Sequence, residues 1–322
     1  MQATHAPASS EGTPSEGIVG AERVVVLMAQ QHSIWTWSAL ISTAIGASAA
    51  ATHASSQTET QLAEPAVEPA SPEGEALPSA LDLFARHAEL VGGEAGFEDH
   101  ETRIMTGVVR GSMGASFMTA YYEKPNRMAL IMEPIGGDKL TRVFDGEFAW
   151  EVIGDSGEVS MLRGAELLEF VESSDFMGEV NYKNRYRTVQ TIGTEEIDGR
   201  PTYRVATESR LGRRGLMFFD QETGYLVAAL TPQLIQGQVF DMQTRLLDYQ
   251  PVGDIELPRK IMQTVLKTPF ESEISIRSIE TGVDRSELFE RSEAVQAAID
   301  AANAAMEAAR SSQEDAGASD DG

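Results

Sequence analysis

From about residue 101 the chain alternates apolar and polar positions with a period of two, as strands do when successive side chains point to opposite faces. The pattern predicts strands over 103–110, 115–123, 127–133, 139–144, 147–153 and 157–162. After an interruption it predicts them again over 186–192, 201–208, 214–220, 224–231, 238–250, 255–267 and 273–281. The interruption carries Ala165-Glu-Leu-Leu-Glu-Phe-Val171, which reads as a short helix. An opening helix is predicted over 78–91, where Leu81, Phe84, Ala85, Ala88 and Val91 recur at helical spacing; Pro78 suits its first turn and Gly92-Gly93 ends it. Asp145-Gly146 and Asp198-Gly199 are two-residue hairpin signals, and Asp220-Gln-Glu-Thr-Gly224 fits a longer hairpin with Gly224 at positive φ. Many strands, short connections and few long helices argue against βαβ crossovers, so the fold is expected to be mainly β and antiparallel.

The two faces of these strands are not always different. In 240–246, Phe240, Met242, Thr244 and Leu246 fall on one side and Asp241, Gln243 and Arg245 on the other. Leu216-Met-Phe-Phe219 and Tyr225-Leu-Val-Ala-Ala-Leu230 are apolar on both. Met128, Leu130 and Met132 share a face. Something apolar is therefore expected against an inner face: the helices over 78–91 and 165–171, a ligand, or both. Met118, Met128, Met132, Met217, Met242 and Met262 all fall on predicted strands. They read either as core filler or as the adaptable lining of a pocket.

The ends differ in composition. Residues 1–27 read as unstructured or as upstream of a true start at Met28. Ile34 to Ala51 is uncharged, and Ala49-x-Ala51 and Thr52-x-Ala54 are cleavage-site candidates, so 28–54 reads as a signal peptide. The absence of Lys and Arg between Met28 and this run, and its length, leave open an uncleaved anchor or a buried helix. Residues 55–77 form an acidic, Pro-, Ser- and Ala-rich linker expected to be disordered. One domain is expected over 78–291, followed by an Ala-rich helix and acidic tail over 292–322. In that helix Val295, Ile299, Ala302 and Met306 form a narrow apolar stripe. Export is expected from the apolar segment.

Charge and residue inventory exclude whole classes. A formal net charge of −25 repels phosphate backbones, so no nucleic-acid partner is expected. With no cysteine there is no disulfide, thiol nucleophile, cysteine-ligated metal or lipidated cysteine. Gly-x-Ser-x-Gly, His-Glu-x-x-His and P-loop motifs are all missing. His87, on the polar side of the opening helix, and His100, beside Glu98, Asp99 and Glu101, read as solvated. Glu195, Glu196 and Asp198 read as a solvated turn, as does Gly136-Gly137-Asp138-Lys139. No catalytic residue, metal or cofactor is expected, and the protein is not expected to be an enzyme. Lys183, Arg185, Arg187, Arg210, Arg213 and Arg214 form two basic clusters, either a rim balancing nearby acids or a docking point for lipid phosphates or an acidic partner.

The order of one helix, an antiparallel run, a short helical stretch and more strands resembles the LolA/LolB-like lipoprotein-carrier family. The resemblance spans about 80–290 and rests on several motifs. They are Leu83-Phe84 to Gly92-Gly93, Tyr122-Glu-Lys-Pro-Asn-Arg127, Val143-Phe-Asp-Gly-Glu-Phe-Ala-Trp150, Phe218-Phe-Asp-Gln-Glu-Thr-Gly-Tyr-Leu226, and Asp248-Tyr249 to Glu256-Leu-Pro258. It implies an open antiparallel half-barrel sheet with short helices closing the concave face. It also implies a hydrophobic cavity that holds acyl chains of lipids or lipoproteins during transfer across the periplasm, with transient membrane contact. The residues expected to line that cavity are Met128, Leu130, Met132, Phe148, Trp150, Phe218, Met242 and Met262. The family's helix-locking arginine has no single match, and Arg103, Arg110 and Arg127 all stay open. The alternative is an interaction or sensor module that meets an envelope partner protein and holds no small ligand. It would use a sheet edge or the 292–310 stripe.

Overall fold

The computed structural model describes residues 76–318, apart from 113, 155–156 and 236–237. The strands are β1 (Thr102–Gly111), β2 (Gly114–Glu123), β3 (Arg127–Pro134), β4 (Leu140–Phe144), β5 (Ala149–Ile153), β6 (Glu158–Met161), β7 (Tyr186–Ile197), β8 (Arg200–Ser209), β9 (Arg214–Asp220), β10 (Leu226–Ile235), β11 (Gln238–Val252), β12 (Ile255–Val265) and β13 (Glu271–Thr281). They form a single antiparallel sheet in the order β6-β5-β4-β3-β2-β1-β13-β12-β11-β10-β9-β8-β7. Apart from the β1–β13 pairing, each strand bonds to its chain neighbours. β6 and β7 are the edges and do not pair with each other, so the sheet is open, as expected.

Turn chemistry sets most of the register. Asp198 (φ 52°) and Gly199 (φ 76°) occupy the two left-handed positions of a two-residue hairpin, the geometry that suits strand twist. Asp145-Gly146 behaves differently. Phe144 pairs with Ala149, so the loop runs over 145–148 and Phe148 is outside the strand. The Asp145 carboxylate accepts the N–H groups of Glu147 and Phe148 at 2.9 and 2.8 Å, which stabilises this wider turn.

The opening helical segment is two pieces, α1 (Ala80–Leu90) and α2 (Gly93–Glu98). Gly92, at φ 114°, makes the break, and a Cβ there would lie 2.5 Å from the carbonyl oxygen of Asp254. Only glycine lets this corner approach the β11–β12 hairpin, where Glu256 N–H donates to Val91 O at 3.0 Å. α3 (Gly164–Ser173) and α4 (Tyr182–Arg185) fill the connection between β6 and β7. A 3-10 turn (Ser286–Phe289) leads into α5 (Glu293–Ala318), which continues past the expected helix end at 310.

Both faces of the sheet are covered. α1 to α4 lie on the inner face, over a core that includes Leu83, Phe84, Phe97, Met105, Met128, Leu130, Met132, Phe170, Phe219, Met242, Ile261 and Ile274. On the outer face, Ile104, Tyr121, Ala129, Val143 and Trp150 meet Phe289, Val295 and Ile299. A smaller outer cluster joins Ile197, Phe218, Val227 and Ala228. Two-sided cover explains the strands that read apolar on both faces. Arg291 secures the outer cover, donating to Asp145 and Glu147 at 2.7 and 2.8 Å with its guanidinium over the Phe148 ring. Among the described residues no helix is long and apolar enough to cross a membrane, and the 28–54 segment lies outside them.

Candidate functional site

Between the inner face and the helical layer lies a cavity of about 260 Å³ that is partly open to solvent. Its sheet side is laid by Met105 of β1, Met217 of β9, Ala229 of β10, Leu246 of β11, Leu257 of β12 and Ile276 of β13, neighbouring strands at the middle of the sheet. A bulge at Leu226/Ala228 shifts the β10 pleat, so that Ala229, opposite Met217 and Thr244, faces the cavity. Phe84 and His87 of α1 and Tyr182 of α4 close it from above. Phe84 stacks on Tyr182 at 5.3 Å and meets Phe219 edge-on at 5.0 Å. These ring contacts add to the backbone bond between Glu256 and Val91 in joining the helical layer to the sheet.

Polar side chains make up a substantial part of the lining, among them Glu172, Asp175, Glu179 and Arg185, and most are paired. At one rim Arg213 binds Glu172 at 2.7 Å and Glu169 lies 3.5 Å away; Ser209 donates to Glu172 as well. Of the two basic clusters, Arg185, Arg213 and Arg214 line the cavity. Lys183, Arg187 and Arg210 line a groove beside edge strand β7. Arg103 of β1 is the exception to the pairing. It is 2% exposed, and its Nε and one Nη have no hydrogen-bond partner among the described residues. The guanidinium sits among Tyr122, Phe176 and Phe97, at 4.9, 5.1 and 5.8 Å from the ring centres, and 3.8 Å from Glu179. Of the three arginines left open by the sequence, Arg103 is on the inner face. Arg127 lies over Phe289 on the outer face, and Arg110 is exposed.

His87 corrects the sequence reading. It is 4% exposed, not solvated, and its Nδ1 accepts the N–H of Leu226 at 3.2 Å. Phe219, Tyr225 and Tyr249 surround it with ring centres 6.1–6.3 Å away. Burial lowers its pKa from 6.5 to about 4. The unfolded chain therefore takes up a proton near pH 6.5 that the native protein refuses until about pH 4. Stability is complete above 6.5 and falls as pH drops through that window, by about 3 kcal/mol at roughly 1.4 kcal/mol per pH unit. Urea unfolding at pH 7 and pH 4 should show this loss in the native protein. In His87→Gln, which takes no proton, the acid limb should be shallower by that amount; equal limbs would refute the assignment.

The eight residues expected to line the cavity divide by face, and none of them lines this one. Met128, Leu130, Met132 and Met242 are on the inner face, fully buried in its core. Phe148 and Trp150 belong to the outer cluster beneath the 3-10 turn and α5. Phe218 is in the second outer cluster, while its neighbours Met217 and Phe219 point inward. Met262 pairs with Arg245 and is half-buried, on the face opposite to Ile261. For Phe148, Trp150 and Phe218 the reason is that the outer face carries apolar clusters too, so a large apolar side chain does not mark the inner side.

The carboxylates at the β7–β8 hairpin pair with arginines. Asp198 binds Arg245 at 2.8 Å and Glu195 lies 3.3 Å from Arg204. Among the described residues no group of three His, Asp or Glu side chains is placed to hold a metal ion.

No protein-family model matches the chain. No curated protein matches it either. Solved structures do. A DUF1329 family protein from Desulfovibrio piger is similar at 11% identity, with 66% of this chain and 97% of that one covered and a TM-score of 0.47. A LolA superfamily protein from Nitrosomonas europaea is similar at 12% identity, covering 66% and 98%, with a TM-score of 0.47. A putative outer membrane lipoprotein-sorting protein domain from Vibrio parahaemolyticus is similar at 9% identity, covering 65% and 95%, with a TM-score of 0.44.

Proposed function

We propose that this protein is a non-catalytic binding or carrier protein of the periplasm that holds an acyl chain of a lipid or lipoprotein non-covalently. The observation that carries the reading is the cavity between the sheet and the helical layer, partly open and with more apolar than polar lining surface. Each methylene moved from water into such a space contributes about 0.8 kcal/mol, without any directional bond. At about 260 Å³ the cavity is just under the roughly 300–1,000 Å³ of ordinary small-molecule sites, so it suits one chain. Several chains, as on a multiply acylated lipoprotein, require the α1 and α3–α4 layer to move outward.

Filling the cavity tests the reading. Ala229→Trp places an indole among Met217, Thr244 and Leu246. Titration with a fluorescent fatty acyl probe should show an affinity at least about tenfold lower than in the native protein, with the far-ultraviolet circular dichroism unchanged. Native mass spectrometry of the protein purified from a bacterial periplasm should show a removable lipid adduct on the native chain and not on the variant. A folded Ala229→Trp protein that binds the probe as before would exclude this cavity as the site.

A further inference from the structure

We infer that the cavity selects an amphiphile with a single anionic headgroup, a carboxylate or a phosphate monoester, and seats that headgroup on Arg103. The inference rests on the proposed acyl-chain site and specifies its ligand. A guanidinium is always charged, and burying one without compensation is costly, so buried arginines are ordinarily paired and fully bonded. Arg103 is 2% exposed, lines the cavity, and has two nitrogen positions without an acceptor among the described residues. Its nearest carboxylate, on Glu179, is 3.8 Å away, beyond hydrogen-bond length, and partly exposed.

The surroundings fix where this charge can be answered. Tyr122, Phe97 and Phe176 hold the guanidinium by cation–π contact, which leaves its Nε and one Nη without an acceptor among the described residues. Two other cavity arginines already have acids: Arg213 binds Glu172 at 2.7 Å and Arg214 lies 3.4 Å from Glu208. Met105, next but one to Arg103 along β1, and Ile276 of β13 continue from it into the apolar part of the cavity. A ligand with an anionic oxygen at Arg103 thus has its chain directed along the apolar lining. The net charge of −25 gives an anion no long-range attraction, so the selection acts at short range, inside the cavity.

The test uses the full chain and two probes that differ only in charge, cis-parinaric acid and its methyl ester. The native protein should bind the acid at least about tenfold more tightly than the ester, as a hydrogen-bonded charge pair supplies. Arg103→Met, which fills the aromatic cage without charge, should bring the two affinities within about twofold. Arg103→Lys should keep part of the preference, and the native comparison stands even where a variant does not fold. Competition separates the sources: oleate displacing the probe better than lysophosphatidate assigns a carboxylate ligand, the reverse a phosphate monoester, and lysophosphatidylcholine should displace it least. Equal binding of acid and ester by the native protein, or a preference that survives in Arg103→Met, overturns the inference and leaves the acyl-chain reading intact. Binding of neither probe overturns both.

Discussion

Replacing Trp150 by alanine should lower the unfolding free energy by about 3–5 kcal/mol and leave the acyl-probe affinity of the folded protein unchanged. Trp150 is buried on the outer face, paired with Val143 across the β4–β5 ladder. It packs in the cluster that joins Tyr121 and Ala129 to Phe289, Val295 and Ile299. Truncation removes a large side chain from between a sheet and the helix that covers it, and neither side can collapse without shifting the other. The lost contacts therefore remain lost, which places the cost at the upper end for core deletions. The same geometry separates Trp150 from the cavity, which is across the sheet. Urea unfolding should show a lower midpoint with an unchanged slope, and probe titration below the transition should match the native protein. Weakened binding with little change in stability would place the site on the outer face, beneath α5.

The contrast between Trp150 and Ala229 shows how far the sequence could be read. Period-two alternation gives each strand's existence and its partition into two sets of side chains. It does not say which set faces inward when both are apolar. In Ala149-Trp-Glu-Val-Ile153 the set with Trp150 and Val152 is the more apolar, and by hydrophobicity alone it belongs inside. It faces out because α5 covers the outer surface, and Glu151 is tolerated inside because Arg142 meets it there. In β10 a bulge resets the pleat, so Ala229 is misplaced by a count made from Leu226, which faces the cavity too. His87 is polar by type yet buried, because Leu226 leaves a backbone N–H that its ring can accept. Sheet topology, by contrast, was legible almost throughout, because it follows from local turn chemistry. Asp198-Gly199 formed its two-residue hairpin, and Asp220 caps the Glu222-Thr223 turn ahead of Gly224, which has φ 88°. Arg103 drew notice as one of three arginines, but its burial depends on β1 pairing with β13, far along the chain.

The buried pair Arg142–Glu151 carries the second large effect. Arg142, 2% exposed, sits on the inner face opposite both Leu130 and Glu151, and its Nε donates to the Glu151 carboxylate at 2.6 Å. One Nη lies 4.0 Å from Glu166 in the first turn of α3, so the pair also attracts the helical layer over this part of the sheet. Removing one partner leaves a charge that the interior does not solvate. Glu151→Leu should therefore cost about 3–5 kcal/mol. The double variant Arg142→Leu/Glu151→Leu removes both charges and adds apolar volume, and it should recover most of that loss. Its recovery should depend on pH through Glu166. Burial raises the Glu166 pKa above 4.5, while Arg142 opposes the rise. The double variant loses both Arg142, which lowers this pKa, and Glu151, a smaller cause that raises it, so the native state holds the Glu166 proton still more tightly relative to the unfolded chain. That contribution favours the native state at low pH and is lost as pH rises through the folded pKa. The double variant should thus come nearer to native stability at pH 5 than at pH 8. Additive single and double costs would mean that the two residues act independently, and that α3 is held over the sheet by apolar packing alone.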